Sequence, residues 1–172
     1  MISIKIFSAE PTLRIAVASN FLTTANKLIK TYERLYRNEV EIISGSTGKL
    51  FAQINSGAPF DLFLSADDLR PKLLSEIDNN FEEDTYVYAV GRLVLWVPAL
   101  PNHQNICNEK LLDMPFQHIA LANPKTAPYG DAGIQTLRKL EKLQSVKSKL
   151  VFGENVSQVF SYLVTGAVDA GF

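Results

Sequence analysis

The amino-acid sequence predicts an α/β fold with mostly parallel sheets. Short apolar runs alternate with amphipathic segments along the chain, and this alternation is typical of strands joined by crossover helices. The chain has 172 residues and 47% of them are hydrophobic, so it is long enough to bury a core in one domain or in two small lobes. We find no internal repeat and no low-complexity segment.

Short apolar runs predict the strands. They are the segments 13–18, 40–44, 60–66, 118–124, 149–153 and 168–172, and two further β-like runs, 85–90 and 92–98, flank Gly91. The polar segment 79–84, which precedes these two runs, is predicted to be a connection.

Apolar residues at helical spacing predict the helices. They run from about 21 to 37, 47 to 56, 128 to 143 and 155 to 166, and a shorter helix opens at Asp67 and Asp68. The apolar faces of the first and last helices consist of Phe21, Ala25, Leu28, Tyr32 and Leu35, and of Val156, Val159, Phe160 and Leu163. Asn20 stands at the N-cap position of the first helix, and Pro128 lies in the first turn of the third.

The charge balance and the cysteine content exclude several classes of function. With 17 basic and 18 acidic residues the net charge is -1, so no basic excess indicates binding to nucleic acid or to an anionic membrane. Cys107 is the single cysteine, which excludes an intramolecular disulfide and a cysteine metal cluster. No stretch approaches the roughly 20 apolar residues that a membrane helix requires.

The N-terminal stretch is a poor match to a secretory signal. Its apolar run, ISIKIF, is interrupted by Lys5, whereas a signal requires about 7–15 uninterrupted apolar residues and a small-residue cleavage site. We therefore expect either that the chain is not exported as written or that its natural N-terminus differs.

The stretch SGSTGKL joins a predicted strand to a predicted helix and has the composition of a phosphate-binding loop. A P-loop requires glycine five positions before its Gly-Lys pair and a hydroxyl residue directly after it, but Ile43 and Leu50 stand there. The nucleotide interpretation therefore fails. Ser46, Thr47 and Gly48 still place hydroxyls and free backbone N–H groups at a helix start, which suits an anion.

Four loops place small, amide or hydroxyl residues where a strand leads into a helix. They are residues 18–20, 44–48, 127–130 and 153–156. Loops at the carboxyl ends of parallel strands gather at one crevice, and four helix N-termini there could hold a dianion without lysine or arginine. The alternative is that each loop only caps its own helix. Lys49 and Lys125 lie near these loops and are given a minor role at most, because lysines are usually solvated.

Candidate catalytic groups are few. His103 and His118 have no Cys, His or carboxylate at metal-ligand spacing, and no serine lies in a G-x-S-x-G motif. The Asp67-Asp68 pair is explained by the dipole of the helix that it opens. Aromatic residues in apolar runs are predicted to belong to the core: Tyr86, Tyr88, Trp96, Phe116 and Phe160. The sequence therefore predicts a protein that is not an enzyme.

Five ordered segments resemble one protein family. They are VASNFLTTANKLIKTYE, SGSTGKLFAQINSGAPFDLFLSADD, YAVGRLVLW, ANPKTAPYG and GENVSQVFSYLVTGAVDAGF. In this order they are similar to the molybdate-binding proteins of bacterial ABC importers, from about Leu13 to Phe172. The likeness is closest to the branch whose first loop carries asparagine in place of serine.

The resemblance implies a type II periplasmic substrate-binding protein with two lobes, here 12–89 and 90–172. Such a protein closes on molybdate or tungstate, without a cofactor and without direct coordination of the metal, and delivers the anion to a membrane permease. The residues that the family motifs place at the anion are Ser19, Asn20, Ser46 and Thr47 in the first lobe, and the backbone N–H groups of Tyr129 and Val156 in the second. Thr47→Ala is accordingly expected to weaken binding.

The sequence departs from the family in two respects. Members are exported to the periplasm, whereas the poor signal here leaves the cytoplasm as an alternative location. Members also continue beyond the DAGF strand and return to the first lobe, so a chain ending at Phe172 is expected to leave that lobe partly uncovered. The alternatives to an importer component are a cytosolic oxyanion sensor, which lacks an attached DNA-binding segment here, and a truncated, non-functional remnant.

Overall fold

The computed structural model describes residues 12–77, 85–100 and 109–172, and within them the chain forms two three-stranded parallel sheets. The strands are β1 (Leu13–Ala18), β2 (Val40–Gly45), β3 (Leu62–Leu64), β4 (Ile119–Ala122), β5 (Leu150–Gly153) and β6 (Ala170–Gly171). The helices are α1 (Leu22–Tyr36), α2 (Thr47–Asn55), α3 (Leu69–Ile77), α4 (Pro128–Lys139), α5 (Leu143–Val146) and α6 (Val156–Val164). The α/β class with parallel sheets is confirmed.

The first sheet has the order β2-β1-β3. Its central strand pairs with β2 from Leu13 opposite Val40 onward and with β3 from Ile15 opposite Leu62 onward. A central parallel strand is covered on both faces, which explains why β1 is an almost continuous apolar run. We call β1–β3 with α1–α3 the first lobe.

The second sheet has the order β5-β4-β6, and all four residues of β4 are buried. Alternate residues of β4 face opposite sides: Leu121 packs in one core cluster with Leu137 of α4, and Ala120 packs in another with Val159 of α6. We call β4–β6 with α4–α6 the second lobe. Since α4 follows β4 and α6 follows β5, both helices begin at the carboxyl edge of this sheet.

The chain passes from the first lobe to the second within residues 88–96. The Tyr88 hydroxyl donates to the Ser65 carbonyl oxygen at 2.7 Å, and the Tyr88 ring packs edge-on against Phe21. Trp96 instead forms an antiparallel bridge with Gly171 in the second sheet. The lobe boundary between residues 89 and 90 lies in this interval and stays a prediction.

Several predicted elements differ from the structure. The β-like runs 85–90 and 92–98 form no strand, and the one β-bridge that the described residues show there joins Trp96 to Gly171. The predicted helix 128–143 ends at Lys139, and Glu141 adopts a left-handed conformation (φ 57°) before α5 begins. The predicted strand 60–66 is shortened to β3. The connection predicted at 79–84 lies outside the described residues.

The start of the first helix also differs from the prediction. Residues Ser19–Phe21 form a short 3-10 turn, and α1 begins only at Leu22. The N-cap residue is Phe21, and no side chain accepts a capping hydrogen bond there. Asn20 therefore does not cap α1, and its side chain is left for another role.

Some residues predicted as core are exposed. Tyr86 is 77% exposed, Phe160 58% and Tyr88 36%, whereas Phe116 is buried as predicted. Phe160 follows the buried Val159 by one position on α6, which turns it about 100° away from the sheet, and its ring stacks on Trp96 instead. Exposed apolar side chains also lie on the first lobe, among them Leu28, Leu35, Tyr36, Leu69 and Ile77.

None of the helices in the described ranges is long and apolar enough to cross a lipid bilayer.

Candidate functional site

One small cavity between the lobes is lined by all six residues that the sequence singled out. They are Ser19, Asn20, Ser46, Thr47, Tyr129 and Val156. Each follows the carboxyl end of a parallel strand, since the loops after β1 and β2 supply four of them and the loops after β4 and β5 supply the other two. Strand direction gathers the residues of each lobe at one edge of its sheet, and the two edges meet at the cavity. Residues that are up to 137 positions apart, from Ser19 to Val156, thus lie at one place.

Two buried hydroxyl groups stand at the start of α2. Ser46 is 2% exposed, and its Oγ has no hydrogen-bond partner in the described part of the chain. Thr47 is also buried, and its Oγ1 accepts the N–H of Ala66 at 3.1 Å. Because that oxygen already serves as an acceptor, the Thr47 hydroxyl hydrogen remains available as a donor. Both hydroxyls can thus donate to a ligand in the cavity.

Three helices begin at the cavity and direct their N-termini toward it. Val156 is the first residue of α6 and Tyr129 the second residue of α4, so their backbone N–H groups have no partner within their own helix. The first turns of these helices and of α2 also carry the positive end of the helix dipole. An anion in the cavity would therefore face neutral donors on both sides.

The capping interpretation holds for only one of these three helices. Asn155 accepts the N–H of Gln158 at 3.1 Å and so caps α6. The N-cap residues of α2 and α4, Ser46 and Ala127, accept no such hydrogen bond through a side chain. The Ser46 hydroxyl is thus not used for capping.

One predicted donor is engaged elsewhere. The sequence placed the Gly48 N–H among the free groups at the start of α2, but it donates to the carbonyl oxygen of Thr126 in the second lobe at 2.8 Å. Lys49 forms an ion pair with Glu154 (Nζ to Oε1 2.9 Å), and Lys125 is exposed. Among the residues that the structure describes, no charged side chain lines the cavity itself.

The rest of the cavity wall comes from the same four predicted loops and from one residue outside them. The loop residues are Ala18, Gly45, Ala127, Pro128 and Asn155, and the residue that the sequence did not identify is Ala66. Ala66 acts through its backbone, since its N–H fixes the Thr47 hydroxyl oxygen, and no side-chain pattern could have signalled that role. Asn155 was detectable as the polar residue directly before a helix start.

Tyr129 extends from the cavity wall toward the segment that links the lobes. A Cβ added at Gly91 would lie 3.0 Å from the Tyr129 hydroxyl oxygen, so that glycine allows the close approach. Burial raises the pKa of the neighbouring Tyr88, and proximity to Tyr129 adds to the effect. Tyr88 therefore stays protonated at neutral pH and keeps its hydrogen bond to Ser65.

The cavity is small and partly open to solvent. Its volume is about 10 Å³, which is close to the minimum for one water molecule. A second cavity of about 840 Å³ lies beside it, between β3 and residues 85–91, and shares Asn20, Ala66, Pro128 and Tyr129 with the first. A four-oxygen anion can therefore enter the smaller site only when its walls move apart.

The other polar groups considered in the sequence have structural roles. Asp67 accepts the N–H of Arg70 at 3.1 Å, which caps the start of α3. Asp68 pairs with Lys72, and this hydrogen bond lowers the pKa of Asp68. His118 is exposed, and its backbone N–H donates to Asp169 at 2.9 Å.

Within the ranges that the structure describes, no three His, Cys, Asp or Glu side chains are grouped so that they could hold a metal ion. His103 and Cys107 lie outside those ranges.

Comparison with known proteins places the chain among solute-binding proteins. Residues 13–172 match the family described as bacterial extracellular solute-binding protein. The chain is 38% identical to the molybdate-binding protein ModA of Azotobacter vinelandii over 160 residues, which cover 93% of this chain and 63% of that protein. It is 36% identical to ModA of Rhodobacter capsulatus over 159 residues, or 91% of this chain and 62% of that one.

A solved structure has the same fold. The periplasmic molybdate-binding protein of Azotobacter vinelandii superposes with a TM-score of 0.80 at 36% sequence identity, covering 93% of this chain and 70% of that one. The chain thus spans somewhat less than two thirds of the length of the two relatives that it matches by sequence.

Proposed function

The chain belongs to the family of bacterial extracellular solute-binding proteins, and we propose that it binds molybdate or tungstate in the cleft between its two lobes. The first lobe would comprise residues 12–89 and the second residues 90–172. The protein needs no resident cofactor and catalyses no reaction. It delivers the anion to the permease of an ABC importer, on the periplasmic side of the membrane.

One observation carries the proposal. Ser46 Oγ is buried beside the cavity and has no partner among the described residues, although an unsatisfied buried hydroxyl costs about 1–3 kcal/mol. An oxyanion bound in the cavity would accept a hydrogen bond from the Ser46 hydroxyl and so remove that cost. The side chains of Ser19, Asn20 and Thr47 and the N–H groups of Tyr129 and Val156 would contact its remaining oxygens.

Neutral donors suit a fully deprotonated anion. Each charge-assisted hydrogen bond contributes about 1.5–3 kcal/mol net, so several of them offset the loss of the water shell. Phosphate near neutral pH carries a proton that a site made only of donors cannot accept, and sulfate is smaller than molybdate. We therefore expect preference for molybdate and tungstate over both.

The relatives support the choice of ligand. The two sequence relatives and the superposed structure are each named for molybdate binding, and each covers 91% or 93% of this chain. All six residues assigned to the ligand fall within the stretch of chain that matches the family.

Isothermal titration of the purified chain with molybdate, tungstate, sulfate and phosphate tests the proposal. We expect binding of one molybdate or tungstate per chain and at least about tenfold weaker binding of the other two anions. Thr24→Ala removes an exposed hydroxyl on α1, outside the cavity, and serves as the control with unchanged affinity. A folded chain that binds none of the four anions would contradict the proposal.

A further inference from the structure

Direct contacts join the two lobes beside the cavity. The N–H of Gly48 donates to the carbonyl oxygen of Thr126 at 2.8 Å, and Lys49 Nζ lies 2.9 Å from Glu154 Oε1. A longer contact of 3.4 Å runs from Ser157 Oγ to the carbonyl oxygen of Ser19. Each contact has one partner in the first lobe and one in the second.

Glycine is required at position 48 for the first of these contacts. A Cβ added there would lie 2.8 Å from the Thr126 oxygen and 3.1 Å from its Cα. Contacts shorter than about 3.0 Å do not occur for real Cβ atoms, and the opposing atoms are backbone, so the lobes would have to separate. The close approach of α2 to the second lobe therefore depends on the missing side chain.

The ion pair lies next to the ligand residues in sequence. Lys49 is two positions after Thr47, and Glu154 is two positions before Val156. Both side chains are about half exposed, at 52% and 49%, so the pair is accessible to solvent and can open and re-form. Its two charges cancel, so the neutral cavity gains no net charge from it.

We propose that Gly48, Thr126, Lys49 and Glu154 form an interlobe clasp that holds the lobes shut and sets the rate at which a bound anion leaves. The inference rests on the proposed function. Because residues of both lobes line the cavity, an anion bound there loses the donors of one lobe when the lobes separate. Separation of the lobes breaks the Gly48–Thr126 hydrogen bond and the Lys49–Glu154 ion pair. Stronger contacts should therefore slow the dissociation of the anion.

The size of the effect follows from the kind of contact. An exposed ion pair contributes at most about 1 kcal/mol, which corresponds to a change of about twofold to fivefold in rate. The backbone contact cannot be removed by deletion of a side chain, but Gly48→Ala would hold the lobes apart. We expect that variant to release the anion at least about tenfold faster, because both contacts and the cavity wall are disturbed.

The release of radiolabelled molybdate from preloaded protein, after addition of excess unlabelled molybdate, measures the dissociation rate. We expect Lys49→Met and Glu154→Gln each to release the anion about twofold to fivefold faster at low salt. The exchanged pair Lys49→Glu with Glu154→Lys should restore the rate to within about twofold. Lys72→Met removes a cation that pairs with Asp68 within the first lobe, and it is the matched control with an unchanged rate.

Amide hydrogen exchange gives a second readout. The Gly48 amide should exchange slowly in loaded protein and faster in Glu154→Gln, whereas loss of a merely local surface pair would not alter it. Tight molybdate binding with wild-type release rates in both single variants and in Gly48→Ala would overturn the clasp alone. Absence of molybdate and tungstate binding in the wild-type chain would overturn the proposed function, and the clasp with it.

Discussion

Ser46 and Thr47 are neighbours in sequence, but their hydroxyl groups have different environments. The Thr47 oxygen accepts the Ala66 N–H, whereas the Ser46 oxygen has no partner in the described ranges. Removal of the Thr47 hydroxyl should therefore lower the stability of the anion-free protein. Removal of the Ser46 hydroxyl should not, because that group is buried without a partner among the described residues. Two alanine variants can therefore separate binding from folding at the level of single residues.

Ser46→Ala and Thr47→Ala should both bind molybdate about 10- to 100-fold more weakly, because each removes one charge-assisted donor. Only Thr47→Ala should lower the free energy of unfolding of the anion-free protein, by about 1 kcal/mol, since it deprives the Ala66 N–H of its acceptor. Titration calorimetry and thermal unfolding measure the two effects. Thr47→Ser retains the hydroxyl and is the control; equal affinity of all four proteins would remove both residues from the site.

The Asp169 carboxylate makes the stability of the second lobe depend on pH, through hydrogen bonds that it accepts just before β4. Its carboxylate accepts the N–H groups of His118 (2.9 Å) and Gln117 (2.7 Å), and these bonds lower its pKa below the ordinary value of 3.8. A carboxylate with a lowered pKa stabilises the fold above the ordinary pKa, and that contribution is lost as the pH falls through the folded value.

Asp169→Asn should therefore destabilise the protein at neutral pH. Because Asp169 is exposed, we expect a loss of roughly 1 kcal/mol, or about 2–4 °C in the unfolding midpoint. The difference from wild type should shrink below pH 3.8, where the wild-type carboxylate becomes protonated. Urea unfolding at neutral and acidic pH measures the difference in the free energy of unfolding between the two proteins. A difference that is constant with pH would show that the charge of Asp169 does not cause the loss of stability.

At the level of elements, the sequence predicted those parts whose partners are local or apolar. β4 is a continuous apolar run and β1 is interrupted only by Arg14, and both lie at the centres of their sheets, as expected for buried parallel strands. The runs 85–90 and 92–98 have equal β character, but a strand also requires a partner, and sequence pattern cannot supply one. The break at Glu141 was also not predictable, since its left-handed backbone occurs in a residue without special preference for it.

The candidate site was predictable to a similar extent. The six residues proposed to bind the ligand stand at strand-to-helix junctions and carry recognisable motifs, and all line the cavity. The use of the Gly48 N–H by Thr126 was missed because it depends on how two distant loops meet. Contacts across a cleft leave no periodic pattern in either segment.

The packing of α4 on β4 depends on Gly130. A Cβ at this position would lie 2.1 Å from the carbonyl oxygen of Ala122, which is backbone of the central strand and cannot move aside. Gly130→Ala should therefore displace the start of α4 and Tyr129 with it, with a loss of about 1–3 kcal/mol or more in stability and weaker anion binding.

Chemical denaturation and calorimetry of Gly130→Ala test this expectation. The stability control is Gly45→Ala, whose added Cβ would meet only Leu50 side-chain atoms at 3.7 Å, an ordinary contact. That variant should change stability by less than about 0.5 kcal/mol. If Gly130→Ala were as stable as the control, the close approach of α4 to the end of β4 would not contribute to the stability of the protein.

At the scale of the whole molecule, the two lobes differ in how well their apolar surface is covered. The second lobe has two buried clusters on opposite faces of its sheet. In the first lobe the described core cluster contains only Ile15, Val17 and Ala25 among its buried members. Leu28 and Leu35 on α1 are 58% and 66% exposed, and they lie two helical turns apart on one face.

This exposed face predicts self-association of the 172-residue chain. Contiguous apolar surface favours contact with another apolar surface, because burial contributes about 25 cal/mol per Å². Light scattering coupled to size exclusion should show an apparent mass that rises with protein concentration. Replacement of Leu28 and Leu35 by Gln should reduce that rise, whereas replacement of the exposed Phe152 by Gln, on the second lobe, should have less effect. A constant monomeric mass at high concentration would contradict the prediction and indicate that the exposed α1 face is too small or too interrupted to associate.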